Sequence, residues 1–269
     1  MSKNIKSGCI RFDDIDMYYV AFGSGDKNLI IIPGLSDGLS TVKGKALFLE
    51  KPYRIFEKQY RVYIFSRKNN MSEGYSMYEM ANDQVKALKA LGIDKTSVMG
   101  ISQGGMIAQC LAINFPEVVD KLIIGVSTPC INDLIRMRIN EWVKLAEERN
   151  HKQLMISTAE NSYSSEYLKK MRKLYPLIGL IGKPKNYDRF FINAKAILNF
   201  NVLDELKNIN APTLILGGGK DQIVGVDGSY LLKEKIKDSI IYIYPEFGHA
   251  AFEEAKDFNK RVLDFLNND

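Results

Sequence analysis

The 269 residues are enough to bury one large core carrying an inserted subdomain, and a chain that is 46% apolar and 26% charged is neither disordered nor fibrous. Thirty-seven basic residues against 32 acidic ones leave a formal charge of +5, spread along the sequence with no run of five or six Lys or Arg, so no nucleic-acid partner is expected. The basic start, Met1 to Lys6, leads into no apolar stretch of secretory type, and nowhere do about 18 apolar residues follow one another as a membrane span requires. Three cysteines, Cys9, Cys110 and Cys130, without a C-x-x-C spacing, fit reduced thiols, so a cytoplasmic protein with no membrane partner is expected.

In chain order, Gly8 to Phe12 and Asp16 to Phe22 alternate apolar and polar residues a few positions apart, which predicts an antiparallel hairpin at a sheet edge. Short, nearly continuous apolar runs follow at Leu29 to Ile32, Val62 to Phe65, Ser97 to Met99, Leu122 to Ile124, Leu214 to Leu216 and Ile240 to Tyr244. Such runs are strands covered on both faces of a parallel sheet. Helical spacing fills the gaps at Met77 to Leu91 and Gly105 to Phe115, and again from Glu253 to Leu266, so the fold class is α/β. One interval breaks the alternation. Between Pro129 and Leu203 there is no strand-like run, only amphipathic stretches at Asp133 to Glu148, Ser165 to Leu174 and Tyr187 to Phe200. About seventy residues are too many for a connection, so 129–203 is expected to form a helical cap on a core made of 1–128 and 204–269.

The chemistry concentrates after the run at Ser97 to Met99. There Gly100-Ile101-Ser102-Gln103-Gly104-Gly105 opens a helix, a G-x-S-x-G sequence in a strand, turn and helix context. The sharp turn strains the serine backbone, and the flanking glycines remove Cβ atoms that would collide with the neighbouring strand and helix. A serine hydroxyl needs an adjacent base. The chain has two histidines: His249, just past the run at Ile240 to Tyr244, is the expected base, while His151 sits in a charged stretch and is expected on the solvated surface. The acid that orients the base should follow another strand. Asp221, after Leu214-Ile215-Leu216 and a glycine turn, fits best, with Asp227 as competitor and a simple turn aspartate as the other reading. Acyl transfer also needs donors for the developing oxyanion; the backbone N–H of Gln103 supplies one, and Leu35, after Pro33-Gly34, offers the other.

With these pieces in this order, nearly the whole chain resembles the α/β-hydrolase superfamily, in particular its capped esterase, lactonase and cofactor-free haloperoxidase-like members. Pro212 to Gly217 with Asp221 looks like that family's acid strand, and Gly248-His249 through Leu266 like its histidine loop and last helix. Three departures stand out: Pro33-Gly34 where many relatives have His-Gly, Ser66-Arg67-Lys68-Asn69 in place of Asp-x-Arg-Gly, and no proline near Ala255. None removes a catalytic group. A serine at 102 sets the chain apart from the dehalogenase and epoxide-hydrolase branches, which carry aspartate there.

The resemblance implies a mostly parallel sheet flanked by helices, with an inserted cap. It implies hydrolysis of a small acyl substrate, an ester, thioester, lactone or amide, through an acyl-enzyme, with no cofactor and no metal. Peroxide as acyl acceptor, or a non-catalytic receptor on the same fold, are the alternatives. Trp142 and Met137, with Met155, Tyr163, Phe190 and Phe191, either line an acyl pocket or form the cap's own core, and Arg136 and Arg138 either hold a carboxylate or face water. Nothing in the sequence indicates an oligomeric state.

Overall fold

The apolar runs become one eight-stranded sheet whose inner strands are covered on both faces. The computed structural model describes residues 5–12 and 15–268. In chain order these hold β1 (Lys6–Phe12), β2 (Ile15–Phe22), β3 (Lys27–Ile32), α1 (Ala46–Tyr53), β4 (Tyr60–Phe65), α2 (Met77–Ala90), β5 (Thr96–Ile101), α3 (Gln103–Asn114) and β6 (Val119–Gly125). Five helices follow, α4 (Asp133–Glu147), α5 (His151–Ser162), α6 (Ser165–Met171), α7 (Tyr175–Ile178) and α8 (Asp188–Leu198). The chain then returns to the sheet with β7 (Thr213–Gly218), α9 (Asp227–Lys235), β8 (Ile240–Tyr244), α10 (Ala251–Glu254) and α11 (Phe258–Asn267).

The strand order is β1-β2-β4-β3-β5-β6-β7-β8. The hairpin β1–β2 and the pair β2–β4 are antiparallel, and every pair from β4 to β8 is parallel. Because β3 lies between β4 and β5, the winding reverses there, at the carboxyl ends of β3 and β5. Those ends are in register, Ile32 beside Gly100. Side chains alternate between two cores. Val98, Leu122 and Ile124 join α2 and α3 through Met80, Leu88, Ile107 and Leu111. Met99 and Ile123 pack on the other face with Phe258, Val262 and Leu266 of α11.

The helical insertion leaves and re-enters the core at one neck, where Cys130 bridges Asn201 and the N–H of Val202 donates to the carbonyl of Pro129 at 2.9 Å. Its first two helices begin on side-chain caps: Asn132 accepts from the Ile135 N–H, and Asn150 from the Gln153 N–H. The second cap starts α5, which the sequence reading leaves unassigned, as it does α1 and α9. His151, expected on the surface, is therefore the first residue of a helix and is buried, with Nε2 2.8 Å from the Ile181 carbonyl. The stretch Ser165 to Leu174 stops being α-helical at Met171 and goes on as a 3-10 turn. The segment from Glu253 to Leu266 is two helices, since Ala255 extends (φ −77°, ψ 111°) and lets α11 turn its apolar side to the sheet.

Phe258 is fully buried, stacked on Tyr244 at 5.9 Å between ring centroids. Phe258→Ala should cost about 3–5 kcal/mol. A lowered urea midpoint at unchanged slope is the expected result, and a loss below about 1 kcal/mol would mean that α11 is not a main cover of this face.

Candidate active site

Ser102 stands between β5 and α3 with φ 54° and ψ −120°, a conformation an L-residue adopts only when its surroundings impose it. The imposition is steric. A Cβ on Gly104 would lie 1.9 Å from the Ile32 carbonyl oxygen, and one on Gly100 2.3 Å from the Gly104 oxygen. Only glycine lets α3 start this close to β3 and β5. The Ser102 N–H donates to the Gly125 carbonyl at 2.9 Å, and the Ser127 hydroxyl donates to the Ser102 carbonyl at 2.8 Å, so the turn is held from β6 as well.

His249 follows β8, in a loop fixed by the Ala250 N–H donating to the Ser162 carbonyl at 2.9 Å. Its Nε2 is 2.9 Å from the Ser102 hydroxyl and its Nδ1 is 2.8 Å from Asp221 Oδ2. The other oxygen of Asp221 accepts the N–H groups of Ile223 and Val224 at 2.8 and 3.0 Å. Burial alone would raise the Asp221 carboxyl, but the charge of His249 and these hydrogen bonds outweigh it and hold the group below its ordinary value. An ionised carboxylate only accepts, so Nδ1 carries the ring proton and Nε2 faces Ser102 as acceptor. The competitor Asp227 opens α9 and is not in this chain of bonds.

Gln103 is the first residue of α3, and Leu35 is the first residue of a 3-10 turn, Leu35–Gly38. Backbone N–H groups at such positions have no partner within their helix. A Cβ on Gly34 would stand 3.3 Å from the Ser102 Cβ, which brings the Leu35 loop against the serine.

One set of side chains has no counterpart in the sequence reading. Asp37, buried two residues after Leu35, accepts the Arg67 N–H at 3.0 Å and the Arg189 guanidinium at 2.6 Å. Arg189, on α8, also donates to the carbonyls of Asp37, Arg67 and Lys68 at 2.9, 2.8 and 2.7 Å. Arg67 donates to the Gln103 side chain at 2.9 Å, and that amide donates to the Asn193 carbonyl of α8 at 3.1 Å. Helix α8 is thus tied to both segments that carry Leu35 and Gln103. Burial raises the Asp37 carboxyl, but Arg189 and Arg67 overcome this and keep it below its ordinary value, while burial pushes Arg67 down to about 10. Arg67 belongs to the stretch that departs from Asp-x-Arg-Gly; its charge was visible in the sequence, its partners thirty and more positions away were not.

Of the residues that fit either an acyl pocket or the cap's own core, Phe190 and Phe191 are in ring contact, 6.2 Å between centroids. Trp142 is buried between α4 and α5, with Nε1 donating to the Ser157 hydroxyl at 3.0 Å, so it belongs to the insertion's own core. Met137 is exposed, Phe190 is core, and the Tyr163 hydroxyl donates to Glu253 at 2.5 Å. Arg136 faces water, while Arg138 pairs with Glu141 at 2.7 Å. Among the described residues no group of three or more His, Cys, Asp or Glu side chains converges where a metal ion could sit.

Residues 27–256 match the profile of the alpha/beta hydrolase fold. The chain is 26% identical over 273 residues to 2-hydroxy-6-oxononadienedioate/2-hydroxy-6-oxononatrienedioate hydrolase 1 of Pseudomonas putida, a match spanning 94% of this chain and 92% of that one. It is 25% identical over 278 residues to the serine hydrolase BPHL of Homo sapiens, across 98% of this chain and 87% of the relative. In three dimensions it is similar to MGS-M2, an alpha/beta hydrolase enzyme from a Medee basin deep-sea metagenome library, with a TM-score of 0.84 at 21% identity over 97% and 98% of the two chains.

The Asp37 contribution to stability is in full force above the unfolded carboxyl pKa, about 3.9, and is lost as pH falls through the lower folded value. Arg189→Met removes the partner that reaches Asp37 from α8. It should lower unfolding stability at neutral pH by about 3 kcal/mol, as the breaking of a buried pair does. Urea unfolding checks this, and a variant as stable as the parent would show that the tie carries no load.

Proposed function

The chain belongs to the alpha/beta hydrolase fold family, and from that premise we propose that it is a serine hydrolase cleaving a small carboxylic ester, thioester or lactone through an acyl-enzyme. One observation carries the reading: the unbroken chain of hydrogen bonds from Ser102 through His249 to a buried, ionised Asp221. A receptor on the same fold would need neither the aligned base nor the strained serine. The relative whose name reads serine hydrolase, over almost the full chain, supports the same assignment.

In this reading Ser102 Oγ attacks the acyl carbon while Nε2 of His249 takes its proton. Asp221 holds the ring in the tautomer that accepts at Nε2 and stabilises the imidazolium that forms. The negative charge growing on the carbonyl oxygen meets the N–H groups of Leu35 and Gln103, which also lie at helix starts, where the backbone dipoles favour an anion. The imidazolium then protonates the departing alkoxide or thiolate, leaving the acyl group on Ser102. Water, deprotonated by His249, attacks the acyl-enzyme and releases the carboxylic acid, and the proton returns to Ser102.

Ser102→Ala and His249→Ala should each fold and lose a factor on the order of 10³ to 10⁶ in kcat on p-nitrophenyl esters, since triad members act as a unit. Asp221→Asn should be crippled and Asp227→Asn close to the parent. Turnover by His249→Ala at the parental rate, or the reverse ranking of the two aspartates, would overturn the assignment.

Acidification should lower kcat/KM, because only neutral imidazole accepts the serine proton. Asp221, held below the ordinary carboxylate range, stays ionised throughout that fall, so the acid limb should follow a single proton. A limb of slope two, or kcat/KM that does not fall on acidification, would contradict the roles given to His249 and Asp221.

A further inference from the structure

One helical segment outside the catalytic machinery is densely basic and exposed. Between Ser165 and Lys185 stand Lys169, Lys170, Arg172, Lys173, Lys183 and Lys185 against the single carboxylate of Glu166, a net +5 that equals the formal charge of the whole chain. All six basic side chains are exposed, and among the described residues only Arg172 is held by a carboxylate, that of Glu160 at 2.7 Å.

The same segment exposes large aliphatic side chains: Leu174 at 54%, Leu177 at 60%, Leu180 at 78% and Ile181 at 58%. They lie along one continuous coil. From α6 the 3-10 turn Arg172–Leu174 runs into α7, and the N–H groups of Leu180 and Ile181 bond back to the carbonyls of Leu177 and Ile178 at 3.0 and 3.1 Å. Leu174, Leu177 and Ile181 thus recur at intervals of three and four, while Leu168 and Ile178 are buried and anchor the coil. A cluster of exposed aliphatic side chains rimmed by cations marks a surface that meets another phase or partner.

Charge selects the occupant. A second copy of the chain, joined across a two-fold axis, would set +5 against +5. A nucleic acid would neutralise the lysines and leave four aliphatic side chains in water. An anionic lipid surface satisfies both, because long lysine stems lie along the interface with their ammonium groups on phosphates while leucines enter the headgroup and acyl boundary. We propose that residues 165–185 dock the protein on an anionic lipid surface. The contact is peripheral, since no helix among the described residues is long and apolar enough to cross a membrane, and it departs from the expectation of no membrane partner. At its start the segment is tied to α10, for Ser164, which caps α6, donates its N–H and hydroxyl to Glu254 at 2.9 and 2.5 Å.

The test is flotation of the full chain with vesicles of phosphatidylcholine alone and of phosphatidylcholine mixed with phosphatidylglycerol, at low and high salt. Binding to the mixed vesicles only, weakening as salt screens the charges, is expected. The triple variant Lys169→Gln, Lys170→Gln, Lys173→Gln should lose affinity about fivefold per charge, on the order of 10²-fold in all. Leu177→Ser with Leu180→Ser should also release the protein, and both variants should keep the parental circular dichroism. Equal binding to neutral vesicles, no binding to either, a triple variant that binds like the parent, or tighter binding to duplex DNA than to vesicles would each overturn the proposal. So would a concentration-dependent dimer that the leucine variants dissolve while vesicles are ignored.

Discussion

The close approach of α3 to β3, with Gly104 against the Ile32 carbonyl, is the constraint on which the rest of the site depends. It leaves the chain no relaxed route from β5 into α3, so the residue at the turn takes a positive φ and its hydroxyl stands clear of both elements. The parallel sheet then supplies the partners. Loops after β3, β5, β7 and β8 all leave from the carboxyl edge, and β3 and β5 are neighbours at the point where the winding reverses. Strain at one residue is thus maintained by packing spread over two cores.

Electrostatics sorts the buried carboxylates into two uses. Asp221 and Asp37 are both buried and both held below their ordinary values, each against the effect of its own burial. Asp221 does so with one histidine and two backbone N–H groups, leaving an oxygen committed to the ring. Asp37 does so with two arginines, one from the segment just after β4 and one from α8. The first arrangement fixes a proton's position. The second fixes a backbone loop, and it ties α8 of the helical insertion to the segments that carry Leu35 and Gln103.

Much of this was legible in the sequence because it is written in local patterns. Buried parallel strands appear as short apolar runs, and the elbow, the acid loop and the histidine loop each follow such a run within a few residues. What could not be read depends on contacts between distant positions. Helix α5 is set by the Asn150 cap and by packing on α4 rather than by a clear apolar stripe, and His151 meets the Ile181 carbonyl and the Tyr187 ring, thirty and more positions away. The charges of Asp37, Arg67 and Arg189 give no sign that the three meet. Trp142 could be read as pocket or, more readily, as core, and the hydrogen bond to Ser157 ties it within the insertion. The basic character of 165–185 is easily missed in the sequence because apolar residues interrupt its lysines, and only the structure shows that all six basic side chains and the aliphatic ones between them are exposed.

Every role given to His249 and Asp221 requires the Ser102 oxygen to be the nucleophile. Treating the native protein with a small fluorophosphonate and mapping the adduct by peptide mass spectrometry addresses that atom directly. A single phosphonyl group on the peptide bearing Ser102, formed rapidly by the parent and slowly when His249 is replaced, is the result the hydrogen-bonded triad requires. An adduct on any other residue, or labelling at Ser102 equally fast without the histidine, would contradict it.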